Sequence, residues 1–128
     1  MALWNQNLST GIEGIDTEHQ KLFQIMNRFG EACDDGVGSS LVIEILDELI
    51  DYTVSHFNNE ERQLEKKNYA LLDKHKKVHQ DLKNEVLAYR KEAMGCDDLN
   101  SLGDDIVVFL EEWLISHIMK MDIPAFRD

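Results

Sequence analysis

The chain has five histidines, and two short stretches pair them with neighbours at one-turn spacing. His75 and His79 stand four apart in "HKKVH", and His56 stands four before Glu60 in "HFNNE". On a helix, residues four apart share a face and lie about one turn from each other. Each pair would therefore offer two donors side by side. Neutral imidazole and carboxylate are natural ligands for divalent transition metals. Taken alone, "HKKVH" also fits a solvated basic face, and "HFNNE" an ordinary His–Glu helix pair. The choice depends on where all five histidines fall relative to the core.

Four stretches carry helical periodicity, at about Thr17 to Asp34, Ser40 to Lys66, Ala70 to Ala93 and Asn100 to Met121. Asp16 is a plausible N-cap for the first, Ser39 or Ser40 for the second, and Pro124 stops the fourth. The inward stripes read Ile15, Leu22, Phe23, Met26, Phe29 and Cys33; Val42, Ile45, Leu49 and Thr53; Leu71, Val78, Leu82, Val86 and Tyr89; and Leu102, Ile106, Phe109, Leu110, Trp113 and Leu114. No segment alternates over strand length. Short connections favour antiparallel neighbours. The expected fold is all-α: an up-down-up-down antiparallel four-helix bundle of one domain over residues 1–128, preceded by an extended N-terminal arm of about fifteen residues.

Each histidine falls on the predicted inner face. The second stripe continues through His56 to Glu60 and the fourth through His117, while His19, His75 and His79 lie within the first and third. His19 is near the start of its helix, His56 and Glu60 near the end of theirs, His75 and His79 near a start, His117 near an end. In an up-down-up-down bundle these are one end, within about 15 Å of axial height. A core cannot keep such polarity unpaired, at about 1–3 kcal/mol for each unsatisfied group. No Lys or Arg lies on these stripes at that level. A metal site satisfies the set. Five histidines exceed what one tetrahedral zinc accepts. Two metals bridged by carboxylates use them better, with iron favoured and manganese or zinc as alternatives. Asp122 is the candidate second bridge. Five residues past His117, it would lie about 140° off on an ideal helix, so a π-type widening or a frayed last turn is required there.

"GIDTEHQKLF", "HFNNE", "HKKVH" and "HIMKMD" together resemble the hemerythrins, in particular the single-domain bacterial hemerythrins, and the likeness runs from Trp4 to Phe126. The resemblance implies a non-haem di-iron site (Fe2+/Fe3+) with a bridging oxo or hydroxo group. It implies that His75, His79 and His117 hold one iron and that His19 and His56 hold the other, which keeps an open position. Glu60 and Asp122 would bridge the two. O2 would bind reversibly at the open position. Phe57, Trp113, Leu114, Ile118 and Ile15, beside the implied ligands, are the expected walls of the O2 pocket. Glu18, Asp16 and Gln20 are candidate acceptors for the free ring nitrogens. Ala70 stands where relatives often have Pro, so the start of the third helix is less fixed.

Charge and composition restrict partners. Thirteen Lys+Arg against 25 Asp+Glu give a net charge of −12, which argues against nucleic acid and anionic membranes. The longest apolar run, "IVVFL", is far short of a membrane span. Cys33 and Cys96 cannot form a framework of several disulfides; free thiols in the cytoplasm are the simplest reading, with a single Cys33–Cys96 pair as the alternative. "EKKN" and "KHKK" read as solvated faces. The expected function is O2 storage, delivery or scavenging, with no catalytic residues. The alternatives are an O2 or redox sensor domain, a di-iron enzyme consuming peroxide or nitric oxide, and iron storage.

Overall fold

The computed structural model describes residues 4–36, 39–95 and 99–127. Four long helices form the body: α1 (Glu13–Asp35), α2 (Ser39–Lys66), α3 (Leu72–Met94) and α4 (Leu99–His117). A π-helical turn (Ile118–Asp122) and a short α5 (Ile123–Arg127) continue from α4. No strand occurs among the described residues. α1 packs on α2 and α4, α2 packs on α3, and the α3–α4 seam is the least closely packed. This is the expected four-helix bundle.

The stripes account for the core. Leu22, Phe23, Met26, Phe29 and Cys33 of α1 meet Val42, Ile45, Leu46 and Leu49 of α2, Leu82 and Val86 of α3, and Ile106, Leu110 and Leu114 of α4. Full burial of each large apolar side chain contributes roughly 1.5–3 kcal/mol. Thr53, half-buried, satisfies its hydroxyl by donating to the Leu49 carbonyl at 2.7 Å. At the far end α1 and α4 touch closely: a Cβ on Gly103 would lie 2.8 Å from the Cys33 Cβ. Cys33 is a free, buried thiol, and burial with Asp34 and Asp104 nearby pushes its pKa up to about 11. That chemistry makes it inert. Cys96 lies outside the described residues.

Several local expectations need correction. α1 starts at Glu13, and Asp16 is not its N-cap. The buried Asp16 carboxylate instead accepts from the Ser9 hydroxyl at 2.6 Å and from the Thr10 amide and hydroxyl, both at 2.8 Å. It binds the arm back onto the helix. Ser40 lies inside α2 rather than ahead of it, and the Ser39 side chain lies outside the described residues. α3 starts at Leu72. Asn68, with φ of 56°, turns the chain, and Leu71 is left 54% exposed rather than inward. Pro124 does not end the last helix; it sits in the first turn of α5, where a missing N–H is tolerated. The rung it cannot supply coincides with the π turn that precedes it.

A second, small apolar cluster closes one end of the bundle: Ile15, Leu64, Ala125 and Phe126, flanked by Ile12, Tyr69 and Leu72. Lys67 Nζ donates to the Ala125 carbonyl at 2.5 Å, and Arg127 donates to the Ser9 carbonyl at 2.9 Å, so arm and C-terminus are both fastened there. This is the end toward which the histidines point.

Candidate metal centre

His19 comes from the second turn of α1, His56 and Glu60 from the C-terminal half of α2, His75 and His79 from the first two turns of α3, and His117 from the last residue of α4. Asp122 ends the π turn. That turn resolves the awkward spacing: the Ile123 amide donates to the Ile118 carbonyl, a five-residue step, so a five-residue interval brings Asp122 back beneath His117. All seven side chains are buried, His117 the most exposed at 5%.

Their donor atoms form two overlapping groups, Glu60, His75, His79, His117 and Asp122 in one and His19, His56, Glu60 and Asp122 in the other. Within each group the atoms lie within 4.8 Å of one another. Glu60 and Asp122 belong to both. Glu60 reaches His19 and His56 through Oε2, at 3.0 and 2.7 Å, and His75 and His79 through Oε1, both at 3.2 Å. Asp122 divides likewise, with Oδ2 3.1 Å from His19 and Oδ1 3.0 and 3.1 Å from His75 and His117. One oxygen of each carboxylate faces one group and the other oxygen faces the second.

The donor chemistry fits metal ions. His56 Nδ1 faces Glu18 at 2.7 Å, and His79 Nδ1 faces Glu61 at 2.8 Å. A carboxylate only accepts, so each imidazole donates from Nδ1. Its Nε2 is then a bare lone pair in the neutral ring, aimed at the centre. His79 Nε2 stands 3.1 Å from His117 Nε2, where two N–H groups cannot face each other. Both Asp122 oxygens are buried and lack an aligned hydrogen bond. Acceptors converging on acceptors need a cation between them.

Protons are the competing cations. Burial opposes charge on His56, yet Glu60 and Glu18 raise its pKa to about 10. Burial likewise opposes charge on His75, and Asp122 and Glu60 raise it to about 9. His19 is raised by Asp122 and Glu60 against its own burial. The imidazoles in turn hold Glu60 well below the usual carboxylate range and Asp122 down to about 2, although burial pushes both up. Metal loading at these donors would release protons.

Aromatic rings press on the outer side. Phe57 stacks on His79, centroids 3.7 Å apart and 1° from parallel, and Trp113 stacks on His117 at 4.4 Å. Leu114 and Ile118 lie in the main core and Ile15 in the small end cluster. Of the three acceptors considered for ring nitrogens, Glu18 serves His56, Asp16 is committed to the arm, and Gln20 is exposed. Glu61 was not anticipated. Its partner His79 is on another helix, and no spacing within α2 distinguishes Glu61 from any other surface acid.

The profile of one family, the Hemerythrin HHE cation binding domain, matches residues 10–125. The chain belongs to the hemerythrin family. It is 33% identical over 120 residues to the bacteriohemerythrin of Pseudomonas aeruginosa, covering 94% of this chain and 76% of that protein. It is 30% identical over 120 residues to the myohemerythrin of Riftia pachyptila, covering 94% and 87%. Among solved structures, a wild-type hemerythrin superposes with a TM-score of 0.88 at 30% identity, covering 99% of this chain and 95% of that one. No helix among the described residues is long and apolar enough to cross a membrane.

Proposed function

We propose that this member of the hemerythrin family binds O2 reversibly at a carboxylate-bridged, non-haem di-iron site, for storage, delivery or scavenging rather than catalysis. His75, His79 and His117 would hold one iron, His19 and His56 the other, with Glu60, Asp122 and an oxo or hydroxo group between them. The arrangement of Glu60 and Asp122 carries the reading: each carboxylate directs one oxygen to each donor group. Two ferrous ions would supply the electrons that hold O2.

The chain's own residues explain why binding would stop short of oxidation chemistry. Five neutral imidazoles and two carboxylates place little negative charge around the ions. Glu18 and Glu61 fix the His56 and His79 rings with Nε2 inward. Phe57, Trp113, Leu114, Ile118 and Ile15 would wall the site and exclude water. Three of them are nearly sealed, Phe57 at 1% exposure and Ile15 and Ile118 at 0%.

The test is an absorption spectrum of the iron-loaded protein, reduced without air, then aerated, then degassed. A near-ultraviolet and visible band that appears with air and vanishes on degassing is expected. One-way oxidation, or no band, would overturn the reading.

A further inference from the structure

The acidic chain carries one basic corner, and that corner lies over the histidines. Of the 13 Lys and Arg residues, six fall between Arg62 and Lys77, where only Glu65 and Asp73 oppose them. The segment is therefore net positive by four, while the rest of the chain holds the other seven cations against 23 acids; Asp51 and Glu61 beside the segment and Asp81 against Lys77 reduce the face it forms to six cations against five acids. All six cations are exposed. Lys77 pairs with Asp81 at 2.8 Å and Lys67 with the Ala125 carbonyl. Arg62, Lys66, Lys74 and Lys76 make no ion pair with the described residues.

Two hollows meet at Arg62. One, between α2 and α3, is lined by Arg62, Lys76 and Glu61, together with the acids Asp51 and Glu65. The other, along α2, is lined by Arg62, Lys66, Lys67, Gln63 and Asn59. Each contains a side chain that leads inward. Glu61, 20% exposed, accepts from His79 Nδ1 at 2.8 Å. Asn59 donates at 3.0 Å to Glu18, which accepts from His56 Nδ1 at 2.7 Å. The only carboxylate-backed ring in each donor group is thus linked to this one face.

We propose that the α2–α3 corner is the docking face for an acidic one-electron donor protein, whose electrons reach the site along Glu61–His79 and Asn59–Glu18–His56. Opposite charge steers encounter and fixes orientation. A long polyanion fits less well, because it would run from the corner onto strongly acidic surface. The purpose of the electrons rests on the di-iron reading: ferrous ions oxidised irreversibly by O2 must be restored before the protein binds again. Each ferric ion gains one electron as one donor molecule loses one, so two donor molecules are oxidised per site.

Docking is testable on the full chain as isolated, by calorimetry with an acidic [2Fe–2S] ferredoxin at low salt, about 20 mM. Arg62→Glu, Lys66→Glu and Lys76→Glu combined are expected to weaken binding about ten-fold or more. Lys21→Glu, Lys83→Glu and Lys91→Glu combined change the net charge equally, and are expected to change it less than about two-fold. With the iron-loaded, oxidised protein, reduction by reduced ferredoxin slows by the same factor in the first variant, while reduction by an uncharged hydroquinone is unchanged. Equal loss in both variants, no ferredoxin binding, or tighter binding of duplex DNA than of ferredoxin would overturn the proposal. Failure to take up iron would defeat the di-iron reading instead, and leaves the binding comparison readable.

Discussion

His79 Nε2 and His117 Nε2 face each other at 3.1 Å inside the bundle, one from the second turn of α3 and one from the end of α4. Glu61 determines what that contact means. By accepting from His79 Nδ1 it leaves Nε2 without a proton. Glu61→Ala is therefore expected to lower iron affinity about 10–100-fold, with Glu61→Gln milder because its amide oxygen can still accept. Competition with a chelator measures both. Because Glu61 is on the surface side, the helical content of the variant is expected to stay at the wild-type level.

Asp122 reaches the centre only through the π turn. Inserting an alanine after Met119, an exposed residue of that turn, would lengthen the step from His117 to six residues and swing Asp122 off the donor group. Loss of one or both irons per chain is expected with the bundle intact. Asp122→Asn keeps the position and removes the charge, so it is expected to weaken loading less than the insertion does. Metal analysis beside circular dichroism separates the two effects.

The pH dependence of stability changes sign with metal. In protein stripped by chelator, His56 and His75 have pKa values raised to about 10 and about 9, above the 6.5 of an unfolded imidazole. Their contribution is fully present below about pH 6.5 and is lost as pH rises through about 9 to 10. Glu60 and Asp122 are depressed, so theirs is present above the ordinary carboxylate range and is lost as pH falls toward about 2. Melting of stripped protein is expected to peak between about pH 5 and 6.5 and to decline toward pH 10. Iron affinity is expected to rise over the same alkaline range, because fewer protons compete for the rings. Thermal scans with and without iron check both trends.

Gly103 is a packing test far from the centre. A methyl group there meets Cys33, so Gly103→Ala is expected to force α1 and α4 apart and cost about 1–3 kcal/mol in urea denaturation. Iron content is expected to be unchanged, since the strain falls at the other end of the bundle.

What could be read in the sequence was what repeats along a helix. The histidines extended apolar stripes at the helical period, so the level at which His19, His56, His75, His79 and His117 meet followed from topology alone. The five-residue step from His117 to Asp122 likewise called for a widened turn, and the π turn is there. What escaped was pairing between elements. Asp16 looks like a cap because it precedes a helical stretch, but Ser9 and Thr10 claim its oxygens once the arm folds back. Glu61 is one surface acid among many until α3 places His79 against it. Leu71 and Leu72 are indistinguishable by composition; the left-handed turn at Asn68 decides which faces inward.

Seven buried side chains are proposed to hold a pair of ions. Elemental analysis of the chain after anaerobic loading with ferrous iron and desalting tests it most directly. Two irons per chain are expected, falling below two in Glu60→Ala, which removes a carboxylate common to both groups. A wild-type chain that retains one iron or none would contradict the account.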